Sequence, residues 1–549
     1  MNLSLSREAF VRTADAASAE GADAICVIPI AMRLLSDQLT PVLAYRRLVV
    51  ADERPAPSFL FESVEGGERQ GRHSILGASP AVEIRARMQD VDIIDRRGGG
   101  AMVEASVSAN PMDELKRWSR RFRLITPDAR DATFDLPECL IGGWVGYASY
   151  DTVRYAEPDK LPFETAPTDD RDLPDLHFGF YDEVVVFDHV GSLIYIVRLV
   201  EVGTEEAGAA WDHASAALAS TAERLQRHSR PLPIGAYDPP AGVDIPESNI
   251  TRESHASMVE RAQEYIKAGD IFQVVIGQRF ERASRTDPFD VYRALRAVNP
   301  SPYMVYLQAS GCILIASSPE ILCRVRNVER SDGSAAQVVT NRPLAGTRRR
   351  GATPDEDLAL ERELLADEKE RAEHVMLVDL GRNDVGRVAK PGTVSLDALM
   401  EIERYSHVMH ISSTVTGVLR DGLDCWDALA STLPVGTISG APKVRAMQII
   451  DELEPVRRGP YGGGIGYVSL NGEMDIALAL RTIVTPIPED VASGADPSQA
   501  TWTYHLQAAG GIVYDSVAEA EYMETVNKAA AMLRAVEVAE RAFGDAPSS

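Results

Sequence analysis

Glu370 and Glu373 stand three residues apart, and so do Glu521 and Glu524. On a helix that spacing puts both carboxylates of a pair on one face, within reach of a single ion. A few carboxylate oxygens, with water and a bound acid completing an octahedron, suit Mg²⁺ rather than the crowded oxygen shell of Ca²⁺. One such pair alone reads as a solvated acidic face. Two pairs, with Lys528 one turn beyond Glu524, make a candidate clamp that holds a metal between two helices.

Other residues stand out against their surroundings. Gln273 lies on a strand whose same-face neighbours are Val275, Gly277 and Arg279, where a glutamine is ordinarily a satisfied hydrogen bonder. Glu320 follows Ser317-Ser318-Pro319: it either opens a helix at the positive dipole end, or is a buried carboxyl whose raised pKa lets it act as an acid. Arg481 sits in MDIALALRTIV, which reads as an otherwise almost wholly apolar strand with Asp475, Ala477 and Ala479 on its face. Its guanidinium either pairs internally with Asp475 or meets a ligand carboxylate in bidentate fashion. His407 and His410 are an odd number of residues apart on a β-branched stretch, so they face opposite ways and do not share an ion. The turn from Gly436 to Lys443 can cradle an anion on its amides but lacks Walker A spacing, and Gly462 to Gly466 lacks the βαβ unit of a dinucleotide loop.

The elements that must position these groups are legible in outline. Thr353, Pro354 and Glu356 spell a helix start, and the pattern predicts one helix from Pro354 to Asp379. The capping box Ser516-Val517-Ala518-Glu519 starts the helix that carries the second glutamate pair. A helix from Arg252 to Ala268 ends at Gly269, followed by a strand from Ile271 to Phe280; a further helix spans Val444 to Leu453. Segments 327–337 and 485–500 read as solvent-facing hairpin insertions. The proline-rich run 230–248 reads as a crossing between a region 1–240 and a region 250–535. Strands and helices mix without steady alternation, which favours an α+β fold.

Bulk composition narrows the function further. With 549 residues, 45% of them hydrophobic, the chain can bury a large core. A net charge of −26 argues against nucleic acid or an anionic membrane surface as partner. Five cysteines, odd in number and without C-x-x-C spacing, suggest neither a disulfide framework nor a zinc site and suit a reducing cytosol. The first residues lack a basic stretch leading into an apolar core, and no run is apolar enough to span a bilayer, so the expected location is cytoplasmic.

Longer motifs carry a family resemblance. FLFESVEGGERQGRHSILG at 59–77, GGWVGYASYD at 142–151, AGDIFQVV at 268–275 and NPSPYM at 299–304 come first. SSPE at 317–320, PLAGTR at 343–348, KERAEHVMLVDLGRND at 369–384, HVMHISS at 407–413, GTISGAPK at 436–443 and YMETVNK at 522–528 follow. In this order they resemble the chorismate-utilising enzymes over nearly the full chain, most closely the large subunits (component I) of anthranilate synthase.

The resemblance implies large, mainly antiparallel β-sheets facing each other across the active site, with helices outside. It implies Mg²⁺ held by Glu370, Glu373, Glu521 and Glu524, and chorismate contacted by Gly346, Thr347, Tyr461, Arg481, Ala509, Gly510, Gly511 and Lys528. Glu320 matches the acid that protonates the leaving C4 hydroxyl and His410 the histidine of the pyruvate-eliminating step; Thr437 is carried over with them. Gln273 stands where the water-adding relatives have a lysine, consistent with ammonia as nucleophile. Ala345 stands where aminodeoxychorismate synthases usually carry a lysine, and an alanine methyl can do no nucleophilic chemistry. Glu62 and Ser63, with Pro302, Tyr303 and Met304, resemble the two halves of a tryptophan feedback site, Phe61 departing conservatively from the usual leucine. This assigns part of the regulatory site to region 1–240 and chorismate binding to region 250–535.

The implied activity is anthranilate synthesis from chorismate and ammonia, the first step of tryptophan biosynthesis. No amidotransferase signature is apparent, so a separate glutamine amidotransferase subunit (component II) would deliver the ammonia within a hetero-oligomer. The alternatives are an aminodeoxychorismate or aminodeoxyisochorismate synthase, and an inactive tryptophan-binding paralogue.

Overall fold

The computed structural model describes residues 2–19, 24–49, 57–65, 69–227, 234–240, 242–329, 333–405 and 408–544. Among them the long strands form two twelve-stranded sheets. The first runs Gly440–Ala441, Gln273–Ser284, Trp502–Ile512, Thr482–Pro486, Cys312–Ser318, Tyr303–Gln308, Ser58–Glu62, His73–Ala78, Glu183–Asp188, Leu193–Glu201, Ile25–Leu35, Phe122–Leu124. Its pairing is antiparallel apart from the last two strands, which are parallel. The second runs Leu344–Arg349, Val408–Val418, Ala335–Asn341, Ile321–Glu329, Met474–Leu478, Gly464–Ser469, Gly143–Ala148, Leu176–Tyr181, Val82–Arg87, Asp90–Asp95, Met102–Val107, with Ser395–Arg404 also paired to Val408–Val418. Both sheets draw strands from either side of the 230–248 run.

The fold is α+β, with the sheets face to face as the resemblance implies. Phe59, Val305, Leu307, Leu314 and Val484 of the first sheet pack against Val145, Tyr147, Tyr181 and Ile465 of the second. Helices cover the outer faces: Pro288–Val298 and Ala518–Phe543 bury Tyr292, Leu533 and Val536 on the first sheet, and Glu368–Gly386 and Cys425–Thr432 bury Val378 and Leu429 on the second. Two open regions remain between the sheets, and the candidate residues gather there.

Several local expectations hold. Thr353 caps its helix by accepting from the Glu356 amide at 3.2 Å. Thr251 caps Arg252–Ala268, which Gly269 closes at φ +82°. Lys443–Leu453 follows the Gly-Ala-Pro turn as a helix.

Four expectations are corrected. The single helix from Pro354 to Asp379 is two, Pro354–Ala366 and Glu368–Gly386. Asp367 breaks it, because its side chain accepts from the Lys369 and Glu370 amides at 3.0 and 3.2 Å and so competes with the helical backbone. The Ser516 capping box does not form: Ala518–Phe543 starts without a side-chain cap, Ser516 accepts from the Val513 amide, and Glu519 pairs with Arg252. The run MDIALALRTIV is not one strand, since Met474–Leu478 ends before Arg481, which takes φ +46°. Segment 485–500 carries a short helix, Glu489–Ala492, and a 3₁₀ turn, Pro497–Gln499, so it is more than a hairpin tip. No helix among the described residues is long and apolar enough to cross a membrane.

Candidate active site

One cavity between the sheets, of about 630 Å³, collects nearly every residue expected to do chemistry. The first sheet contributes Gln273, Ala509 and Gly511; the second contributes Ala345, Gly346, Thr347 and His410. The helix Glu368–Gly386 adds Glu370 and Glu373, and Ala518–Phe543 adds Glu521, Glu524 and Lys528. Glu320, Thr437, Tyr461 and Arg481 come from the turns between. Gly510 lies in the same strand as its neighbours, and a Cβ there would meet Glu521 at 3.4 Å.

Glu320 does not open a helix; it precedes the strand Ile321–Glu329 and is buried. Burial pushes its carboxyl up to about 8, against the hydroxyl of Thr437, which donates to Oε1 at 2.9 Å. Near neutral pH this carboxyl keeps its proton and can give it away.

His410 is set for the opposite task. Its Nδ1 lies 3.0 Å from the Gly346 carbonyl and 3.1 Å from the Thr347 hydroxyl. Burial pulls the imidazole down to about 4, so it is neutral near pH 7. A carbonyl only accepts, which fixes the proton on Nδ1 and leaves a lone pair on Nε2. That Nε2 is buried without a hydrogen-bond partner among the described residues.

Gln273 donates from Nε2 to Glu373 at 2.8 Å, which orients its amide and leaves Oε1 buried and unpartnered among the described residues. Glycine at 511 is required here, because a Cβ would stand 2.5 Å from Gln273 Nε2. Burial, then the charges of Glu370 and Glu524, raises the pKa of Glu373 against the Gln273 hydrogen bond; burial and Glu524 likewise raise that of Glu521. Arg348 holds Glu370 at 3.1 Å and Lys528 holds Glu524 at 2.6 Å, while Lys528 also donates to the Ala509 carbonyl. No group of three or more acidic, histidine or cysteine side chains closes into a metal cage among the described residues. The four carboxylates line one cavity from two helices, an open arrangement whose oxygens would suit a hard dication only if water and ligand oxygens completed its shell.

Arg481 settles its own alternative. Asp475 is taken by Arg324 at 3.0 Å, Arg326 at 2.9 Å and the Tyr303 hydroxyl at 2.8 Å, so no internal pair with Arg481 forms. The guanidinium has no ion-pair partner among the described residues, and burial lowers its pKa. A desolvated cation lining a cavity calls for an anionic ligand.

Residues 56–534 match the chorismate binding enzyme model. The chain belongs to the chorismate-binding enzymes. The chloroplastic anthranilate synthase alpha subunit 1 of Arabidopsis thaliana is 50% identical over 553 residues, covering 98% of this chain and 90% of that protein. Anthranilate synthase component 1 of Acetivibrio thermocellus is 43% identical over 523 residues, covering 93% of this chain and 96% of its own. Among solved structures, anthranilate synthase component I from Streptococcus pneumoniae TIGR4 superposes with a TM-score of 0.66 at 33% identity, covering 91% of this chain and 99% of that one.

In this chorismate-binding enzyme a second and larger cavity, about 800 Å³, opens between the same sheets. It joins the halves of the expected effector site: Glu62 pairs with Met304 across adjacent strands, and Ser63, Pro302 and Tyr303 line the space beside them. Glu62 is buried, held by the Tyr292 hydroxyl at 2.6 Å and by Arg296 at 2.7 Å. Pro319 and Leu344 line both cavities.

Sequence reasoning passed over Arg348, which ties Glu370 to Asp367 and Glu363. The run Arg348-Arg349-Arg350 before an acidic helix is the signal that was there to read. His407 lies outside the described residues.

Proposed function

We propose that the chain is an anthranilate synthase large subunit, converting chorismate and ammonia to anthranilate and pyruvate at the start of tryptophan biosynthesis. The observation that carries this reading is a cavity with a protonated acid, Glu320, and no lysine at either position 273 or 345. Water activation lacks its base and a lysine-linked route lacks its nucleophile, so free ammonia attacks.

Arg481 and Lys528 bind the carboxylates of chorismate, and the glycines at 346 and 511 let backbone approach the ring. Gln273 Oε1 accepts an N–H from ammonia and aims its lone pair at C2, while Glu320 protonates the C4 hydroxyl as it leaves. Loss of pyruvate from C3 needs the C2 proton removed, and the free Nε2 of His410 takes it. Glu370, Glu373, Glu521 and Glu524 would hold Mg²⁺, which when bound would supply neutralisation of substrate charge. Glu320 and Gln273 are buried, which strengthens the interactions they make.

Ammonia reaches this subunit from a partner glutamine amidotransferase, and tryptophan inhibits by filling the second cavity, where Glu62 and Ser63 meet its charged groups and Pro302, Tyr303 and Met304 surround the indole. The five cysteines are free thiols, which suits a reducing cytosol. The test is direct. Purified protein with chorismate, Mg²⁺ and an ammonium salt is expected to release fluorescent anthranilate and equimolar pyruvate. A product retaining the enolpyruvyl group, or none, defeats the reading.

A further inference from the structure

Behind the catalytic cavity lies a buried ion pair that lines none of it. Arg458 donates from Nη1 to the Ile438 carbonyl and from Nη2 to the Val275 carbonyl, each at 2.7 Å. Its Nε and Nη2 hold the carboxylate of Glu454 at 2.9 and 2.5 Å. Glu454 also accepts from the Gly277 amide at 2.8 Å. The guanidinium lies over the ring of Tyr150 at 4.7 Å, which seals it from solvent.

The positions of those acceptors matter. Val275 is two residues from Gln273 on one strand, and Ile438 follows Thr437, which holds the acid Glu320. A planar fork with fixed donor directions therefore ties the backbone that carries Gln273 to the turn that carries Thr437. Resting on the reading of the reaction given above, we propose that Arg458 and Glu454 are positioning residues, setting the nucleophile-orienting amide and the acid's hydrogen-bond partner in register without touching substrate.

The fork explains why arginine is needed. Lysine keeps the charge but cannot reach two carbonyls and a carboxylate from one plane. Removing one partner alone strands a buried charge, whereas replacing both by apolar groups of similar volume removes that penalty and leaves only the backbone partners of the pair to be satisfied otherwise. Stability and register can thus be separated.

The experiment compares wild type, R458K and the double variant R458M/E454M in the ammonium-dependent assay, with thermal melts on each. Expected are a fall in kcat of about 100-fold in both variants, KM for chorismate changed by less than about threefold because Arg481 and Lys528 are untouched, and a displaced alkaline limb of the kcat–pH profile. The double variant removes both charges but leaves the Gly277 amide and the Ile438 and Val275 carbonyls without these partners, so it is expected to melt below wild type, and kcat is compared per folded molecule. A double variant or R458K with wild-type kcat per folded molecule and an unmoved alkaline limb overturns the proposal, as does activity that merely follows the fraction folded. Wild-type protein in the same assay tests the reaction itself: if it makes no anthranilate the reading of function falls, whereas active wild type with equally active variants removes only the clamp.

Discussion

Glu320 keeps a proton that an exposed glutamate would lose, and two consequences follow with opposite signs. Burial raises its pKa from 4.5 to about 8. The acid is therefore available below about 8 and lost above it, while free ammonia grows as pH rises. The ammonium-dependent kcat is expected to trace a bell whose alkaline limb belongs to Glu320. Between its unfolded and folded pKa values the folded state binds the extra proton, so this residue makes the protein less stable as pH climbs through that window. Glu320→Gln is thus expected to lose about 10³-fold in kcat and to raise the melting temperature at pH 8, measured by calorimetry. His410→Ala keeps the acid and the Gln273 amide; chorismate should still be consumed, with an amino intermediate retaining its enolpyruvyl group accumulating on chromatography. Glu373→Gln removes one of the carboxylates whose mutual repulsion a cation would relieve. The Mg²⁺ concentration for half-maximal rate should rise at least about tenfold.

At the scale of elements, the site depends on backbone exceptions rather than on regular structure. The strand Leu344–Arg349 bulges between Ala345 and Thr347, and Gly346 adopts φ +67° there to present its carbonyl to His410. A Cβ at 346 would stand 3.2 Å from Glu370 Oε2 in a conformation that L side chains resist. Gly346→Ala is expected to lower kcat/KM by about 100-fold with the fold intact by circular dichroism. The break at Asp367 puts Glu370 in the first turn of its helix and lets Arg348 bind both residues. Asp367→Ala should cost about 1 kcal/mol of stability by denaturant melts. The helix start at Thr353 and the helix end at Gly269 were legible because caps are local chemistry; the Asp367 break was hidden because Asp367 lies in an otherwise unbroken run of helix formers.

The whole molecule carries a net charge of −26 and must admit a dianion. On the proposed reading its far field repels chorismate, and Arg481 and Lys528 in the cavity supply local attraction. Raising ionic strength from 0.01 to 0.15 M shortens the screening length from about 30 Å to about 8 Å, so kcat/KM is expected to increase over that range in stopped-flow or steady-state assays. The amino-acid sequence by itself determined the α+β class, the order of the motifs, the paired glutamates and the inert Ala345, because residue type, capping and helical spacing act over a few neighbours. Tertiary structure decided the rest. It gave Asp475 to Arg324 and Arg326 and left Arg481 without an ion-pair partner among the described residues, desolvated Glu320 so that its pKa rises to about 8, and fixed the His410 proton on Nδ1. Each of those outcomes is set by which distant segments meet in a low-dielectric interior, a property of packing that spacing along the chain does not encode.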